Sequence, residues 1–461
     1  MSKRQSFSPN RRSLLTLLRP TQIIMFGFMA VILVGTVLLM LPISARSGEG
    51  TSFLNALFTA TSATCVTGLA VVDTASYWSI FGQLVILVLI QVGGLGFVTM
   101  AGLVSFLLRR KISLRERLIM AESFNQSEIQ GIVWLTQRVL MVTFTVEGCG
   151  ALILSARLIP EFGFLGGIYR GIFTAVSAFC NAGFDVIGKY GAFVSLTPYV
   201  GDFVMNVTIM GLIVFGGLGF FVWADLYRYR PGEGYRIKLQ TILVLVMTIA
   251  LILIGAVLFF VLEYRNPDTI GYMSLPHKLL ASFFQSVTTR TAGFNTIDQS
   301  AMTEMSKFVS MILMFIGGSP GSTAGGIKTV TLAVILITVH NIIRGSKTVN
   351  IHGKHIGHGI ILRAISIVLI AIVVLLIAIL VMYFSEQASL QRIIYEAVSA
   401  FGTVGLSQSL TPHLSSIGKC VIMILMFFGR VGVLTIGFAI AAKQHDYNSK
   451  IRYPRAQLMV G

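Results

Sequence analysis

Runs of about twenty apolar residues recur along the whole chain and constrain its fold more than any other feature. The first, TQIIMFGFMAVILVGTVLLMLPI, occupies residues 21–43. A helix of this length crosses a hydrocarbon core of about 30 Å, and it is too long for the apolar region of a cleaved signal peptide. Only 11% of the 461 residues are charged, against about 25% in ordinary soluble proteins. The sequence therefore predicts an all-α, multi-pass membrane protein.

The net charge of +17 is concentrated in short segments between or after the apolar runs. Besides the N-terminal arm, these basic segments lie at 109–117, 227–238, 344–354 and 450–455. A basic bias in short loops on one side of a membrane marks the cytoplasmic side. We therefore predict a cell-membrane protein with cytoplasmic N- and C-termini. The same charge predicts contact with anionic lipid and an acidic protein partner, and not nucleic-acid binding.

Four polar segments share one pattern and each follows a long apolar run. They are LFTATSATCVTGLAVVD, IFTAVSAFCNAGFDVIG, SFFQSVTTRTAGFNTID and IYEAVSAFGTVGLSQSL. Aligned on one glycine each, they give Gly68, Gly183, Gly293 and Gly405, which are 115, 110 and 112 residues apart. An aromatic residue lies ten positions before each glycine, and Leu or Phe follows it. A repeat of this length is a whole structural unit.

Each unit has three predicted parts: a first long helix (M1), a short pore helix with its glycine segment (P), and a second long apolar run (M2). First helices are predicted near 21–43, 139–158, 239–262 and 362–384, and second runs near 81–107, 202–224, 306–340 and 418–442. The basic segments place all four units in the same orientation. We predict four parallel M1-P-M2 repeats, with eight transmembrane helices and four re-entrant pore loops, in a pseudo-fourfold arrangement around one pore per chain.

The predicted boundaries follow from these parts. They are a cytoplasmic N-terminal arm at 1–20, repeat 1 at 21–107, a cytoplasmic loop at 108–132, repeat 2 at 133–225, a loop at 226–238, repeat 3 at 239–340, a loop at 341–359, repeat 4 at 360–442, and a C-terminal tail at 443–461. Parallel copies suit a ring around a pore, whereas inverted copies suit a rocking transporter.

Glycine at four matched positions favours an ion filter. Non-helical backbone at membrane depth is tolerated only where protein buries it or where it lines a watery cavity, and its carbonyl oxygens can replace the hydration shell of a cation. Helix packing by small residues explains one or two of these glycines, but not four with matched neighbours. The predicted filter residues are Val66, Thr67, Gly68, Asn181, Ala182, Gly183, Thr291, Ala292, Gly293, Thr403, Val404 and Gly405. One glycine per segment, with no TVGYG, indicates a shorter filter than that of potassium channels.

At these residues the chain closely resembles the Trk/Ktr/HKT superfamily of potassium transporters, and the predicted eight spans resemble its Ktr-type membrane subunit. The resemblance covers about residues 20–461. It implies potassium uptake across a bacterial cell membrane, since glycine at all four filter positions goes with potassium preference in that family. It also implies a homodimer with one pore per protomer and a cytoplasmic, KtrA/KtrC-like nucleotide-binding regulatory ring. ATP or ADP is expected on that partner, with no cofactor in this chain and potassium as the transported ion.

The resemblance also implies a gate in the second helix of the third repeat, matched here by GGSPGSTAGGIK. Its glycines, proline and hydroxyl residues independently predict irregular backbone. The family's intramembrane arginine maps onto Arg430, where a charge is costly and usually functional. The predicted gate residues are Gly317, Gly318, Ser319, Pro320, Gly321, Ser322, Thr323, Gly325, Gly326, Lys328 and Arg430. Many relatives have proline where this chain has Val433.

Several other polar residues have two interpretations each. Glu147 in the first helix of repeat 2 could relay ions or make a local hydrogen bond to a half-helix. Asp73, Asp185 and Asp298 follow filter glycines and could line an outer mouth or cap helices. Arg290, three residues before Gly293, is expected to point behind its loop toward a carboxylate.

Other motifs support no further function. The four cysteines, Cys65, Cys149, Cys180 and Cys420, have no paired spacing, so we predict neither a disulfide nor a metal site. VGGLGF lies within an apolar run rather than after a strand, which argues against a dinucleotide site. The alternative functions are a potassium symporter coupled to sodium or protons, a membrane enzyme, and a scaffold. No constellation of catalytic residues supports an enzyme, and a scaffold leaves the four glycine segments unexplained.

Overall fold

We describe a computed structural model of the chain that covers residues 20–108, 112–123, 131–229, 237–346, 348–351 and 353–432. Almost the whole predicted N-terminal arm, the C-terminal tail and Val433 lie outside these residues. The described part is mostly helical. Its α-helices are α1 Pro20–Met40, α2 Phe53–Thr64, α3 Thr74–Tyr77, α4 Ile80–Leu95, α5 Phe97–Leu107, α6 Leu114–Ser123, α7 Ile132–Phe162, α8 Phe164–Phe179, α9 Phe203–Gly217, α10 Phe220–Arg228, α11 Leu239–Glu263, α12 Leu275–Thr288, α13 Glu304–Phe315, α14 Thr329–Ile343, α15 His358–Ser385, α16 Leu390–Gly402 and α17 Ser416–Val431. Strands β1 Asn350–Ile351 and β2 Lys354–His355 form an antiparallel hairpin.

Four helices, α1, α7, α11 and α15, are single helices long and apolar enough to cross a membrane. They correspond to the predicted first helices, although α7 extends several residues beyond the predicted range at both ends. Large apolar side chains such as Leu33, Leu152 and Leu376 remain exposed along them. A helix that is apolar on every side is typical of a membrane span, since lipid covers the surface that protein leaves open.

The second helix of each unit begins at a capping side chain. Ser79, Asp202, Thr303 and Ser415 each accept a hydrogen bond from the backbone N–H three positions later. A helix N-terminus leaves its first backbone donors open, and such a side chain satisfies one of them. One polar side chain therefore marks where each of the helices α4, α9, α13 and α17 begins.

Within the described residues, the second helices of the first three units are interrupted, a feature that the predicted second runs near 81–107 and 202–224 did not include. α5 leaves α4 at an angle of 100°, and α10 leaves α9 at 89°. With each bent pair taken as one span, six spans in the described part are long and apolar enough to cross a membrane. In the third unit, residues 316–328 form no helix between α13 and α14. In the fourth, α17 ends at Val431, next to residues outside the description.

The four units contact one another in a closed cycle. Each second helix packs against the pore helix of the next unit: α4 against α8, α9 against α12, α13 against α16, and α17 against α2. Within each unit, the first helix packs against its own pore helix. The pore helices α2, α8, α12 and α16 therefore surround one central region, where their glycine segments meet.

Candidate functional site

The four aligned glycines form a closed ring. A Cβ atom built on Gly68 would lie 3.2 Å from the Cα of Gly183, and one on Gly183 would lie 2.9 Å from the Cα of Gly293. The corresponding distances from the built Cβ to the next Cα are 3.4 Å from Gly293 to Gly405 and 3.1 Å from Gly405 to Gly68. All four residues have positive φ, between 70 and 89°. The close approach and the left-handed backbone both require glycine here.

Carbonyl oxygens lie between neighbouring loops of this ring. Each glycine lies against the carbonyl oxygen of the residue just before the next glycine. A Cβ atom built on Gly183 would lie 2.9 Å from the oxygen of Ala292, and one on Gly293 would lie 2.6 Å from the oxygen of Val404. The oxygens of Ala182 and Thr67 lie against Gly68 and Gly405 in the same way. The twelve residues predicted for the filter therefore form the four backbone segments of one ring. Carbonyl oxygens so placed can coordinate a dehydrated cation.

The loops share a strained backbone. The residue two positions before each glycine is also left-handed, with φ of 57° at Val66, 59° at Asn181, 71° at Thr291 and 51° at Thr403. This conformation costs roughly 1–2 kcal/mol for a residue with a side chain, and it is a genuine outlier for valine or threonine. Its recurrence in all four units shows that the loops follow one path, which the surrounding packing imposes.

Hydroxyl groups fix each loop in this path. Ser62 and Ser399, each six residues before its glycine, accept the backbone N–H of that glycine at 3.1 Å. Ser177 and Thr288 donate to the carbonyl oxygen of the residue after their glycine, at 2.7 Å for Ser177. Each pore helix therefore supplies one hydroxyl that holds the ring backbone in place.

A cavity of about 340 Å³ opens on one side of the ring, and all four glycines line it. Asp73, Asp185, Asp298 and His413 also line this cavity, which we call the mouth. Asp73 additionally caps α3 and accepts the backbone N–H of Phe193 at 2.8 Å. Both interpretations of Asp73 from the sequence, lining and capping, are therefore correct.

A non-helical loop, residues 316–328, lies on the opposite side of the ring. A Cβ atom built on Gly326 would lie 3.3 Å from the Cα of Gly402, at the end of α16. The loop also bonds to the second unit: the N–H of Ser319 donates to the carbonyl of Gly217 at 3.1 Å, and the carbonyl of Gly321 accepts the N–H of Phe220 at 2.8 Å. Ten of the eleven predicted gate residues lie on this loop.

The eleventh, Arg430, connects the loop to the first unit. Its guanidinium donates to the carbonyl oxygens of Thr323 in the loop and of Gly93 and Gly94 at the end of α4, the last at 2.8 Å. Lys328 donates to the carbonyl of Ala324 at 2.7 Å. Within the described part of the chain, both cations bond to backbone carbonyl oxygens, and neither bonds to a carboxylate. A cavity of about 160 Å³ on this side of the ring reaches both.

Sequence reasoning missed what the repeated VGGLGF-type motifs do. The first glycine of the motif packs on the carbonyl oxygen four positions before a ring glycine, too closely for any side chain, at Gly93, Gly216 and Gly429. The last glycine has φ of 82 to 93° and ends the second helix, at Gly96, Gly219 and Gly432. The signal in the sequence was the recurrence of glycines three residues apart in three units.

Glu147 makes local hydrogen bonds, as the second of its two interpretations from the sequence predicted. Its carboxylate accepts from the side-chain amide of Gln91 in α4 at 3.1 and 3.2 Å, and from the thiol of Cys180 at 3.8 Å. Cys180 directly follows pore helix α8. Glu147 therefore joins the first helix of the second unit to its pore helix and to the first unit.

The prediction of a carboxylate partner for Arg290 was wrong. The side chain is buried behind its loop, with its terminal nitrogens 3.5 Å from the carbonyl and the hydroxyl of Thr248. Its Nε has no hydrogen-bond partner within the described residues. A hydroxyl and a carbonyl of α11 take the place that sequence reasoning gave to a carboxylate.

Broken membrane helices, four pore helices that end at one ring of backbone, and a loop across that ring define a membrane transport protein. The family model described as "TrkH: Cation transport protein" matches residues 6–450. The chain belongs to this family, which is one of transporters and not of enzymes. The resemblance drawn from the glycine segments is thereby confirmed.

Similar proteins and one solved structure agree with this assignment. The chain is 42% identical over 442 residues to the Ktr system potassium uptake protein B of Bacillus subtilis, covering 96% of this chain and 97% of that one. It is 40% identical over 448 residues to the potassium/sodium uptake protein NtpJ of Enterococcus hirae, covering 96% and 98%. The crystal structure of the potassium transporter TrkH from Vibrio parahaemolyticus has a TM-score of 0.73 at 15% identity, covering 93% of this chain and 86% of that one. That likeness shows the fold.

Proposed function

We propose that this chain is the ion-conducting subunit of a Ktr-type potassium uptake system in a bacterial cell membrane. The closed ring of four glycines and its four carbonyl oxygens is the observation that carries the proposal. The potassium uptake named for a relative that is 42% identical to this chain supports potassium as the ion. The twelve ring residues form the filter, and the acidic mouth supplies cations to it.

The proposed architecture is four parallel M1-P-M2 repeats in pseudo-fourfold symmetry around one pore, within the boundaries predicted from the sequence. The cyclic contacts of second helices with pore helices support it. The loop of residues 317–326 is the gate, because it lies next to the ring on the side away from the mouth and bonds to the second and fourth units. Arg430 holds this loop closed through carbonyl contacts.

Uptake of potassium into purified proteoliposomes tests this function. We expect potassium to enter down its gradient and sodium to compete weakly. Reversal potentials that follow the potassium gradient alone, at any sodium concentration or pH, distinguish the pore from a symporter coupled to sodium or protons. A reversal potential that moves with sodium or with pH would contradict conduction by an uncoupled pore.

The mouth is expected to make uptake depend on external pH. Burial raises the pKa of the Asp185 carboxyl to about 6, and the nearby charge of Asp73 adds to this, while the N–H of Ile187 opposes it. A raised pKa favours the neutral acid, so the mouth holds this negative charge above pH 6 and loses it below. Because negative charge concentrates cations at a cleft, uptake should fall severalfold as external pH drops through about 6 at low ionic strength.

The measurement is the initial uptake rate against external pH for the wild type and Asp185→Asn, which should lack the step. Asp298→Asn is the matched control: it also removes one mouth carboxylate, but it should keep the step. His413 also lines the mouth, so His413→Gln is measured beside them. A step that survives in Asp185→Asn and disappears in His413→Gln would assign the titration to the histidine.

We further propose that the chain forms a homodimer and binds a cytoplasmic nucleotide-binding ring at its basic end. Arg117, Arg344 and Lys354 are exposed there, and the β1–β2 hairpin projects from a small core that includes Val349 and Ile356. Arginines can make paired hydrogen bonds to partner carboxylates. The basic residues at 109–111 and Lys347 belong to the same predicted surface but lie outside the described residues.

Three charge reversals, Arg117→Glu, Arg344→Glu and Lys354→Glu, are expected to weaken ring binding about tenfold or more. Each exposed ion pair contributes about 0–1 kcal/mol, and salt screens it. Titration of the ring onto the purified chain at two salt concentrations measures this, with basal potassium flux as the folding control. Arg265→Glu at the opposite end of α11 should leave ring binding unchanged. Unaltered affinity in the triple variant would place the ring elsewhere.

A further inference from the structure

An apolar groove of about 360 Å³ lies between α7 and α10, at the end of the molecule where the basic loops emerge. It exists because α10 leaves α9 at 89° and packs against α7. If α9 crosses the membrane, α10 therefore runs close to the membrane plane. Trp134, Trp223 and Tyr227 form much of the wall, with aliphatic side chains such as Val142. Tryptophan and tyrosine are typical of the membrane–water interface.

Two arginines flank this groove without an acidic partner. The guanidinium carbons of Arg138 and Arg228 lie 5.5 and 4.7 Å from the centre of the Trp134 ring, and that of Arg138 also lies 5.2 Å from the centre of the Tyr227 ring. Neither arginine makes an ion pair within the described part of the chain. Cation–π contact holds both guanidinium groups in place, and it leaves their N–H donors open to an anion.

The wall of the groove is preformed. Trp223 stacks on Phe215 with ring centres 4.5 Å apart and parallel planes. Its indole N–H donates to the carbonyl oxygen of Phe215 at 3.1 Å, which satisfies a backbone acceptor near the end of α9. A ligand that enters here therefore meets a fixed aromatic surface and does not have to order it.

We propose that this groove binds one anionic phospholipid, with an acyl chain between α7 and α10 and the phosphate between Arg138 and Arg228. The chemistry selects this occupant. An apolar groove open to the membrane takes a hydrocarbon chain, and two cations that have no acidic partner among the described residues take a negative headgroup at its interfacial edge. The site does not depend on which ion the ring conducts.

The tryptophans provide a direct test. The chain has three, and two of them, Trp134 and Trp223, line the groove, whereas Trp78 is fully buried. The full chain is placed in bilayers of fixed composition, a minor fraction of phosphatidylglycerol in phosphatidylcholine. In one preparation the phosphatidylglycerol carries brominated acyl chains. In the other, an equal amount of phosphatidylcholine carries them. Bromine quenches indole fluorescence on contact, so the two preparations differ only in which headgroup brings it to the groove.

Bromine on phosphatidylglycerol is expected to quench more strongly. The double variant Arg138→Gln with Arg228→Gln should lose this difference, since each cation contributes a roughly fivefold preference and the pair roughly thirtyfold. Val142→Phe fills the groove without adding another indole, and it should reduce quenching by both lipids. Arg363→Gln is the matched control, because Arg363 lies at a similar position near the start of α15, is exposed, and makes no cation–π contact within the described residues.

Equal quenching by the two brominated lipids in the wild type would overturn the proposal, as would a preference that the double variant retains. Quenching that is low with both lipids would show that protein, a second copy or another segment of this chain, covers the groove. Potassium flux is measured on the same preparations. Loss of lipid selectivity with retained flux would separate this site from the function of the ring.

Discussion

Replacing Gly68 with serine is expected to reduce the selectivity of uptake for potassium over sodium by roughly tenfold, equivalent to about 1.4 kcal/mol. Gly68 has φ of 89°, which costs a residue with a side chain roughly 1–2 kcal/mol. A Cβ atom there would also overlap the carbonyl oxygen of Ala182, one of the four that face the ring. The serine must therefore displace a carbonyl oxygen of the proposed filter, which changes the field that a dehydrated ion meets.

Competition between labelled potassium and unlabelled sodium in proteoliposomes measures this effect. Gly211→Ser is the matched control, because Gly211 lies in α9 with no atom within 4 Å of its built Cβ. The control should keep the selectivity of the wild type. Unchanged selectivity in Gly68→Ser would show that the ring does not discriminate between the two ions.

Deleting residues 317–326 is expected to raise potassium flux about tenfold or more and to remove its dependence on the regulatory partner. The deletion is structurally feasible because Ile316 and Ile327, the residues to be joined, already pair as neighbours in a parallel bridge. α13 and α14 can therefore keep their positions. Removing the loop also removes the backbone of Gly326, which lies against Gly402 next to the ring.

Arg430→Gln should act in the same direction with a smaller effect. The substitution removes the charge-assisted hydrogen bonds of the guanidinium to three carbonyls, each of which contributes about 1.5–3 kcal/mol. The glutamine amide replaces only part of them. Ser322→Ala is the control, since it removes one hydrogen bond within the loop, to the carbonyl of Ser319, but keeps the loop's length. Wild-type flux in a deletion variant that assembles normally would mean that the loop is not a gate.

The sequence was informative about the ring because four units carry the same signal. A single CVTGL segment could have been explained equally well by a glycine that packs helices together or by an ion filter. Four such segments with matched aromatic residues could be explained only by convergence on one axis. The helix caps at Ser79 and Thr303 were not among the predictions, although serine and threonine are typical of helix starts.

The breaks in the second helices could not be predicted in the same way. Glycine is common in regular membrane helices, so Gly96 and Gly219 gave no clear sign that their φ would be positive. Only the tertiary contact of the motif's first glycine with the pore helix of its own unit shows why the chain turns there. The prediction for Arg290 failed for a related reason. A carbonyl and a hydroxyl can solvate a buried cation, and no pattern in the sequence points to Thr248.

The location of the bound ion tests the central claim most directly. Crystals of the protein grown with rubidium in place of potassium allow the ion to be located by its anomalous scattering. We predict a peak on the axis of the ring, surrounded by the carbonyl oxygens of Thr67, Ala182, Ala292 and Val404, and its loss or weakening in Gly68→Ser. An ordered rubidium ion found only elsewhere, beside Glu147 or among the mouth carboxylates, with none in the ring, would contradict the account.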